Sequence, residues 1–212
     1  DDRMAAAMML KGLTASYLLR RTFRVEPGHA VLIHAAAGGV GSILVQWARH
    51  LGATVIGTVG SPEKAERAMA LGCHHTILYG EADVAAEVRR LTGGTGCEVV
   101  YDSVGQATFA GSIDSLRPFG VLVCYGNASG PVDPISPLLL SQKGSLYLTR
   151  PSLVTHSVDR AHFLYVAADL LEVVGAGIVR VDINQTWPLS RAADAHRALE
   201  GRRTTGSSVL VP

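Results

Sequence analysis

Ala36, Gly38 and Gly41 fall within HAAAGGVGSILVQWA, residues 34 to 48, at the spacing Ala-x-Gly-x-x-Gly. Side chains are cleared away there from a chain that is otherwise bulky and apolar. The spacing is a dinucleotide fingerprint with alanine in its first glycine position. Gly38 lets backbone approach a pyrophosphate, and Gly41 lets the following helix pack close to the preceding strand. The free N–H groups and dipole at the helix start then hold phosphate. A tight turn with close helix packing would leave the same glycines. The context favours the dinucleotide, because a buried strand precedes the stretch and an amphipathic helix follows it. No Gly-Lys-Ser/Thr follows the glycines, which excludes a Walker-type phosphate loop.

The end of the second strand, GTVGSPEK, indicates which dinucleotide. An NAD site places Asp or Glu there to bond the ribose 2′-hydroxyl. This chain has Thr58 and Gly60 instead, so nothing repels a 2′-phosphate. Lys64, one turn into the next helix, could neutralise that phosphate, or it could be a solvated helix lysine. Glu63 is near, but its side chain can point away. The missing acid favours NADP(H).

Bond-making groups are harder to find. His74 and His75 are neighbours on a strand, face opposite ways and cannot chelate one ion together. His34 ends the first strand and reads as a satisfied buried histidine. There is no Gly-x-Ser-x-Gly elbow and no Tyr-x-x-x-Lys pair; Tyr17 is followed four residues on by Arg21. The residues describe a cofactor cradle with no catalytic acid, base or nucleophile.

The elements that would position this cradle alternate. Residues 3 to 22 read as helix, weakened at Gly12. Apolar runs at 30–35, 53–59, 75–78, 97–103 and 120–126 read as strands, and 144–149 as a sixth. Helices are expected at 40–51, closed by Gly52, and after Ser61-Pro62 up to Gly72. Further helices are expected at 83–94, near 106–116, at 157–174 and at 190–200, with a last strand at 207–211. Strand and helix alternating with short connections imply an α/β fold: a doubly wound parallel sheet (Rossmann fold) of about six strands with helices on both faces. Continuous apolar strands fit a sheet buried on both sides.

Composition narrows the classes. The chain has 212 residues, a formal net charge of +1, 48% apolar residues and 23 glycines. That charge gives no electrostatic case for nucleic acid or an anionic membrane. No apolar run reaches the ~18 residues of a membrane span, and DDRMAAAMML does not read as a signal peptide. Cys73, Cys97 and Cys124 are scattered and odd in number, which argues against a disulfide framework or a zinc site. The expectation is a reduced, cytoplasmic protein without metal; the two N-x-S/T sequons then read as chance matches.

Seven blocks in order, KGLTASYLLRRTF, HAAAGGVG, GTVGSPEKA, VVYDSVG, GNASG, QKGSLYLTRPSL and GSSVLVP, together resemble the quinone oxidoreductases. These are the zeta-crystallin-like, zinc-free branch of the medium-chain dehydrogenase/reductase superfamily. The resemblance covers nearly the whole chain. It implies NADPH:quinone oxidoreductase activity, with a quinone stacking on the nicotinamide and no strong general acid demanded. It also implies an N-terminal catalytic domain that is not in this sequence, so residues 1–212 would be the NADP-binding domain with a return segment at 182–212, inactive or weakly active alone. An enone or enoyl reductase on the same frame, or a non-catalytic NADPH binder, are the rivals.

Carried over position by position, the resemblance puts Thr14 and Tyr17 near the nicotinamide and Gly39 and Val40 along the pyrophosphate. Gly60, Ser61 and Lys64 would hold the 2′-phosphate, with Tyr79 against it and Ser103 by the adenosine ribose end. Tyr125, Gly126 and Asn127 would flank the nicotinamide ribose. Arg150, Pro151 and Ser152 would close the site, with Arg202 reaching in from the last helix end. Tyr125 and Ala128 depart from the Phe and Ser common in the family's FGNSSG. The alternative for Tyr17, Tyr79 and Tyr125 is an ordinary half-buried tyrosine.

QKGSLYLTRP, residues 142 to 151, alternates and follows a long proline-rich loop. It reads as a strand at the sheet edge, whose unpaired N–H and C=O groups could join a second copy antiparallel in a homodimer.

Overall fold

The computed structural model describes residues 1–201 and 203–212. Six strands form one sheet: β1 (Ala30–Ile33), β2 (Thr54–Val59), β3 (His75–Leu78), β4 (Cys97–Asp102), β5 (Leu116–Cys124) and β6 (Tyr147–Thr149). Their order across the sheet is β3-β2-β1-β4-β5-β6, and every pairing is parallel. The order reverses between β1 and β4. A crevice opens at such a switch point, beyond the carboxyl ends of the strands.

The central strands β1, β2 and β4 are apolar on both faces because each face has its own core. On one side Val31, Ile33, Val55, Val99, Tyr101 and Val123 pack with α1 (Asp2–Tyr17), α2 (Gly39–His50) and the later helix α8 (Arg160–Gly175). On the other, Leu32, Ile56, Val100 and Leu122 pack with residues of α4 (Val84–Leu91), α5 (Phe109–Asp114) and α6 (Leu138–Gln142). Alternate residues of one strand feed opposite layers. Helix α3 (Pro62–Leu71) lies after β2, capped by Ser61 and closed by Gly72 at φ 121°.

Several boundaries differ from expectation for visible reasons. Gly12 does not weaken α1; a Cβ there would stand 2.5 Å from Leu170 Cδ1, so the bare position lets α8 approach. The helix beyond Tyr17 changes to a π-helical turn, Leu18–Thr22, and the buried Tyr101 hydroxyl donates to the Leu18 carbonyl at 3.3 Å. The expected 157–174 helix is α8, starting at Arg160 because Asp159 caps it by accepting from His162 N–H; a separate short helix, α7 (Leu153–Ser157), precedes it. Strand β5 starts at Leu116, ahead of the expected 120, with Phe119 at φ 62°.

One strand went unforeseen. β7 (Ile183–Pro188) pairs in parallel with β8 (Ser207–Val211), after a short 3₁₀ turn at Leu189–Arg191 and α9 (Ala192–Glu200). Its polar sequence, INQTWP, gives no strand signal. Arg67 of α3 holds it by donating to Asp182 (2.7 Å) and Asn184 (3.1 Å). Just before β8, Gly206 donates to the Ala37 carbonyl at 3.0 Å, so the C-terminal strands close against the glycine loop. No helix among the described residues is long and apolar enough to cross a membrane.

Candidate functional site

The fingerprint residues occupy the turn from β1 into α2. Ala35 stands at φ 53°, a left-handed conformation that an L side chain rarely adopts, and its carbonyl accepts from Gly38 N–H at 2.8 Å. A Cβ on Gly41 would collide with that same carbonyl, so glycine there is what lets α2 start so close to β1. No side chain caps α2 at Gly38. The first N–H groups of the helix, those of Gly39 and Val40 among them, have no partner within it. The turn therefore presents backbone donors at the positive end of a helix dipole.

Beside this turn lies a cavity of about 430 Å³. Gly38, Gly60, Lys64 and Tyr79 line it, with Thr58, Val104, Thr108 and Ala128 among others. Tyr79 crosses Gly60, where a Cβ would stand 2.5 Å from the phenol oxygen. Ser61 caps α3 by accepting from Lys64 N–H at 3.4 Å. The same hydroxyl bonds to Glu63 and holds that exposed carboxyl below its usual range. Glu63 is not among the lining residues, and no carboxylate is.

The cavity floor is a buried polar chain. Asp102, fully buried, accepts from the N–H groups of Val104 (2.8 Å) and Gly105 (3.0 Å) and from the hydroxyls of Thr108 (2.8 Å) and Ser112 (2.7 Å). Ser112 spends its one proton on Asp102, so at its other contact it accepts from His34 Nε2 at 2.9 Å. His34 Nδ1 is then the unprotonated nitrogen and accepts from Thr58 Oγ1 at 2.9 Å. Burial lowers the His34 pKa, with the Asp102 charge pulling the other way. The histidine is thus neutral and fully bonded, as its position on the first strand suggested.

A second hollow, of about 450 Å³, is lined by Thr14, Tyr17, Tyr125, Arg150, Pro151, Ser152 and Leu153. Arg150 donates to the Cys124 carbonyl at 3.1 Å, and Ser152 caps α7. Burial raises the Tyr17 phenol, opposed by the charge of Arg150. Burial also raises Tyr125, opposed by a hydrogen bond with Ser103. Ser103 packs against Gly126, where any Cβ would strike its backbone, and Asn127 lies against Gly105. Of the seventeen expected contacts among the described residues, ten line the two hollows directly: Thr14, Tyr17, Gly38, Gly60, Lys64, Tyr79, Tyr125, Arg150, Pro151 and Ser152. Arg202 lies outside the described residues.

Sequence reasoning passed over His156. Its ring stacks on Tyr17, with centroids 4.4 Å apart and planes at 12°. Its Nδ1 is 3.1 Å from Nε2 of His162, so one of the pair donates to the other. Burial, with lesser contributions from His162 and Arg21, lowers the His156 pKa. The pairing crosses from α7 to α1, and nothing local in the sequence signals it. Among the described residues no group of three or more His, Cys, Asp or Glu side chains could hold a metal ion.

A zinc-binding dehydrogenase family profile matches residues 39–159. A 2-haloacrylate reductase from a Burkholderia species is 52% identical over the whole chain, which spans 64% of that protein. A quinone oxidoreductase from Pseudomonas aeruginosa is 50% identical over the whole chain, spanning 65% of it. The crystal structure of Escherichia coli quinone oxidoreductase complexed with NADPH matches 99% of the chain and 65% of its own, with a TM-score of 0.96 at 45% identity. The chain thus spans a little under two thirds of the length of these relatives.

Proposed function

This chain belongs to the zinc-binding dehydrogenase family, within the medium-chain dehydrogenase/reductase superfamily, and on that premise we propose that it is the NADPH-holding part of a quinone oxidoreductase. The observation that carries the cofactor is the end of β2. Thr58, Gly60, Lys64 and Tyr79 line the first hollow there and no carboxylate does, so a 2′-phosphate meets a cation rather than an anion. The residues fit the group: Gly41 and Gly126 are bare where a Cβ would strike backbone, and α2 starts uncapped. The first hollow would take the adenosine half and the second, at Tyr17, Tyr125 and Arg150, the nicotinamide half. When bound, NADPH supplies the reducing electrons. The chain's own residues place it, exclude water beneath it and leave one nicotinamide face toward the substrate. A quinone accepts electrons readily, which suits a site with no acid or base of its own.

Titration with NADPH and NADH tests this reading. One charged contact to phosphate is worth about 1.5–3 kcal/mol, or roughly 10- to 150-fold in affinity. NADPH should bind more tightly by about that factor, and Lys64→Ala should erase the difference. Equal affinities in the unaltered protein would overturn it.

The Burkholderia relative favours a second reading, reduction of an activated alkene, since it is the more identical of the two curated relatives described. Both readings put the substrate wall in the third of the relatives' length that this chain does not span. NADPH oxidation by the whole enzyme against a small quinone and a 2-haloacrylate separates them.

The same reading includes a homodimer through residues 142–151, a cytoplasmic location and no zinc. β6 supports the dimer: it lies at the sheet edge, with Tyr147 61% exposed. Leu146 is buried in the second core and cannot be changed without harming the fold. Tyr147→Asp is the cleaner probe, and light scattering should find it monomeric where the unaltered protein is dimeric. Three buried, unpaired cysteines suit a reducing compartment. Dialysed protein should contain no stoichiometric zinc by elemental analysis.

A further inference from the structure

Lys11 of α1 belongs to no motif, yet the fold lays it across the glycine turn. α1 packs along α2. A Cβ built on Gly39, the first residue of α2, would stand 2.7 Å from both Cδ and Cε of Lys11, so the lysine stem fills the space that the missing side chain leaves. The ammonium is one bond beyond Cε. Its partners are conspicuous by their lack: among the described residues no hydrogen bond or ion pair reaches it. Burial alone lowers its pKa, with no carboxylate to compensate.

That placement is unfavourable twice over in the protein by itself. The half-buried charge has lost part of its water without gaining a counter-ion among the described residues. It also sits at the positive end of a helix dipole, which repels cations. An anion between the ammonium and the N–H groups of α2 would relieve both costs at once. The position along the crevice agrees. Gly38, next to Gly39, lines the first hollow, and Thr14, three residues on from Lys11 and on the same face of α1, lines the second. Lys11 lines neither hollow itself, but its stem lies on Gly39, next to the Gly38 that lines the first.

We propose that Lys11 is a diphosphate-binding residue, clamping the pyrophosphate of the dinucleotide from the α1 side while the α2 N–H groups hold it from the other. This rests on reading the crevice as a dinucleotide site. It assigns the two lysines different tasks. Lys64 distinguishes NADPH from NADH, whereas Lys11 serves both equally, since both carry the diphosphate.

Calorimetric titration of the unaltered protein, Lys11→Met and Lys64→Ala with NADPH, NADH and adenosine 2′-monophosphate separates these tasks. The last ligand has the 2′-phosphate and no diphosphate. Lys11→Met, which keeps the stem, should weaken NADPH and NADH by the same factor, roughly 10- to 100-fold, and leave adenosine 2′-monophosphate unchanged. Lys64→Ala should weaken NADPH and adenosine 2′-monophosphate and spare NADH. Lys11→Met without ligand should melt no lower than the unaltered protein, because the substitution removes a desolvated charge; a lower melting temperature would make Lys11 structural and overturn the proposal. So would NADPH affinity within about twofold of the unaltered protein, or an equal loss of adenosine 2′-monophosphate. If the unaltered protein bound no dinucleotide, the cofactor reading itself would fall and this inference with it.

Discussion

At the proposed adenosine end the turn is backbone and small side chains, Ala35, Ala37, Gly38 and Gly60, with Lys64 and Tyr79 beside it, over a floor in which Thr58, His34, Ser112 and Asp102 each have a fixed donor or acceptor role. At the proposed nicotinamide end the walls are large: Tyr17, Tyr125, Arg150 and Leu153, with His156 stacked behind Tyr17. The first end is rigid because its hydrogen bonds are complete and its space is set by glycines. The second is shaped by side chains from three separate parts of the chain, residues 14–17, 125 and 150–156. An anion-binding turn calls for fixed backbone donors. A site where a second substrate meets the cofactor calls for surfaces that can adjust.

The sharpest way to break this contrast is to remove Asp102. Asp102→Ala orphans two N–H groups and two hydroxyls in a dry interior; each buried polar group left unsatisfied costs about 1–3 kcal/mol, so a total of about 3–5 kcal/mol is expected. Denaturant unfolding should show a loss of that size. A loss under about 1 kcal/mol would mean that the floor is not the rigid element described here.

Next in size are the clearance glycines, one at each end. Gly41→Ala drives a methyl into the Ala35 carbonyl, and Gly126→Ala drives one into the Ser103 backbone. Overpacking against backbone costs about 1–3 kcal/mol. Gly41→Ala should cost more, because β1 and α2 are both locked, whereas the loop after β5 can move. Equal melting temperatures for the two variants would remove the difference in rigidity.

The histidines sharpen the comparison by pH. His34 and His156 both have pKa values lowered by burial from the ordinary 6.5. The unfolded chain then takes up protons before the folded one. Stability should be level above about pH 6.5 and fall as pH drops below it, with a limiting slope of about 1.4 kcal/mol per pH unit for each such group. His34→Gln should flatten this acid slope more than His156→Phe, because His34 is wholly enclosed and His156 is not. The slope, rather than the absolute stability, is the quantity to compare across denaturant melts from pH 5 to 8.

The smallest effect should come from Ala35→Gly. The left-handed conformation costs an L residue about 1–2 kcal/mol, while glycine's greater freedom when unfolded costs about 0.4–1 kcal/mol in return. A net gain under about 1 kcal/mol is expected, measurable as a small rise in melting temperature.

Most of the sheet was legible because a parallel sheet covered on both faces forces short, continuous apolar runs, and 30–33, 54–59, 75–78 and 97–102 are such runs. The adenosine end was legible for a related reason. Its chemistry is backbone chemistry, and glycines at fixed spacing, an N-cap serine and a missing acid all lie within thirty residues of chain. β7 was not legible, since INQTWP becomes a strand only when β8 pairs with it and Arg67 of α3 holds its start.

The order of residues by itself determined the alternation of strand and helix, the turn that can hold a diphosphate and the absence of a carboxylate beside Thr58. Each follows from local sterics and periodicity, which neighbouring residues settle among themselves. Only the tertiary structure decided that Lys11 lies over Gly39, that Ser112 fixes the tautomer of His34 from 78 residues away, and that His156 stacks on Tyr17. Those contacts join residues far apart in the chain. Whether a side chain is buried, bonded or left without a counter-ion depends on what packing brings beside it.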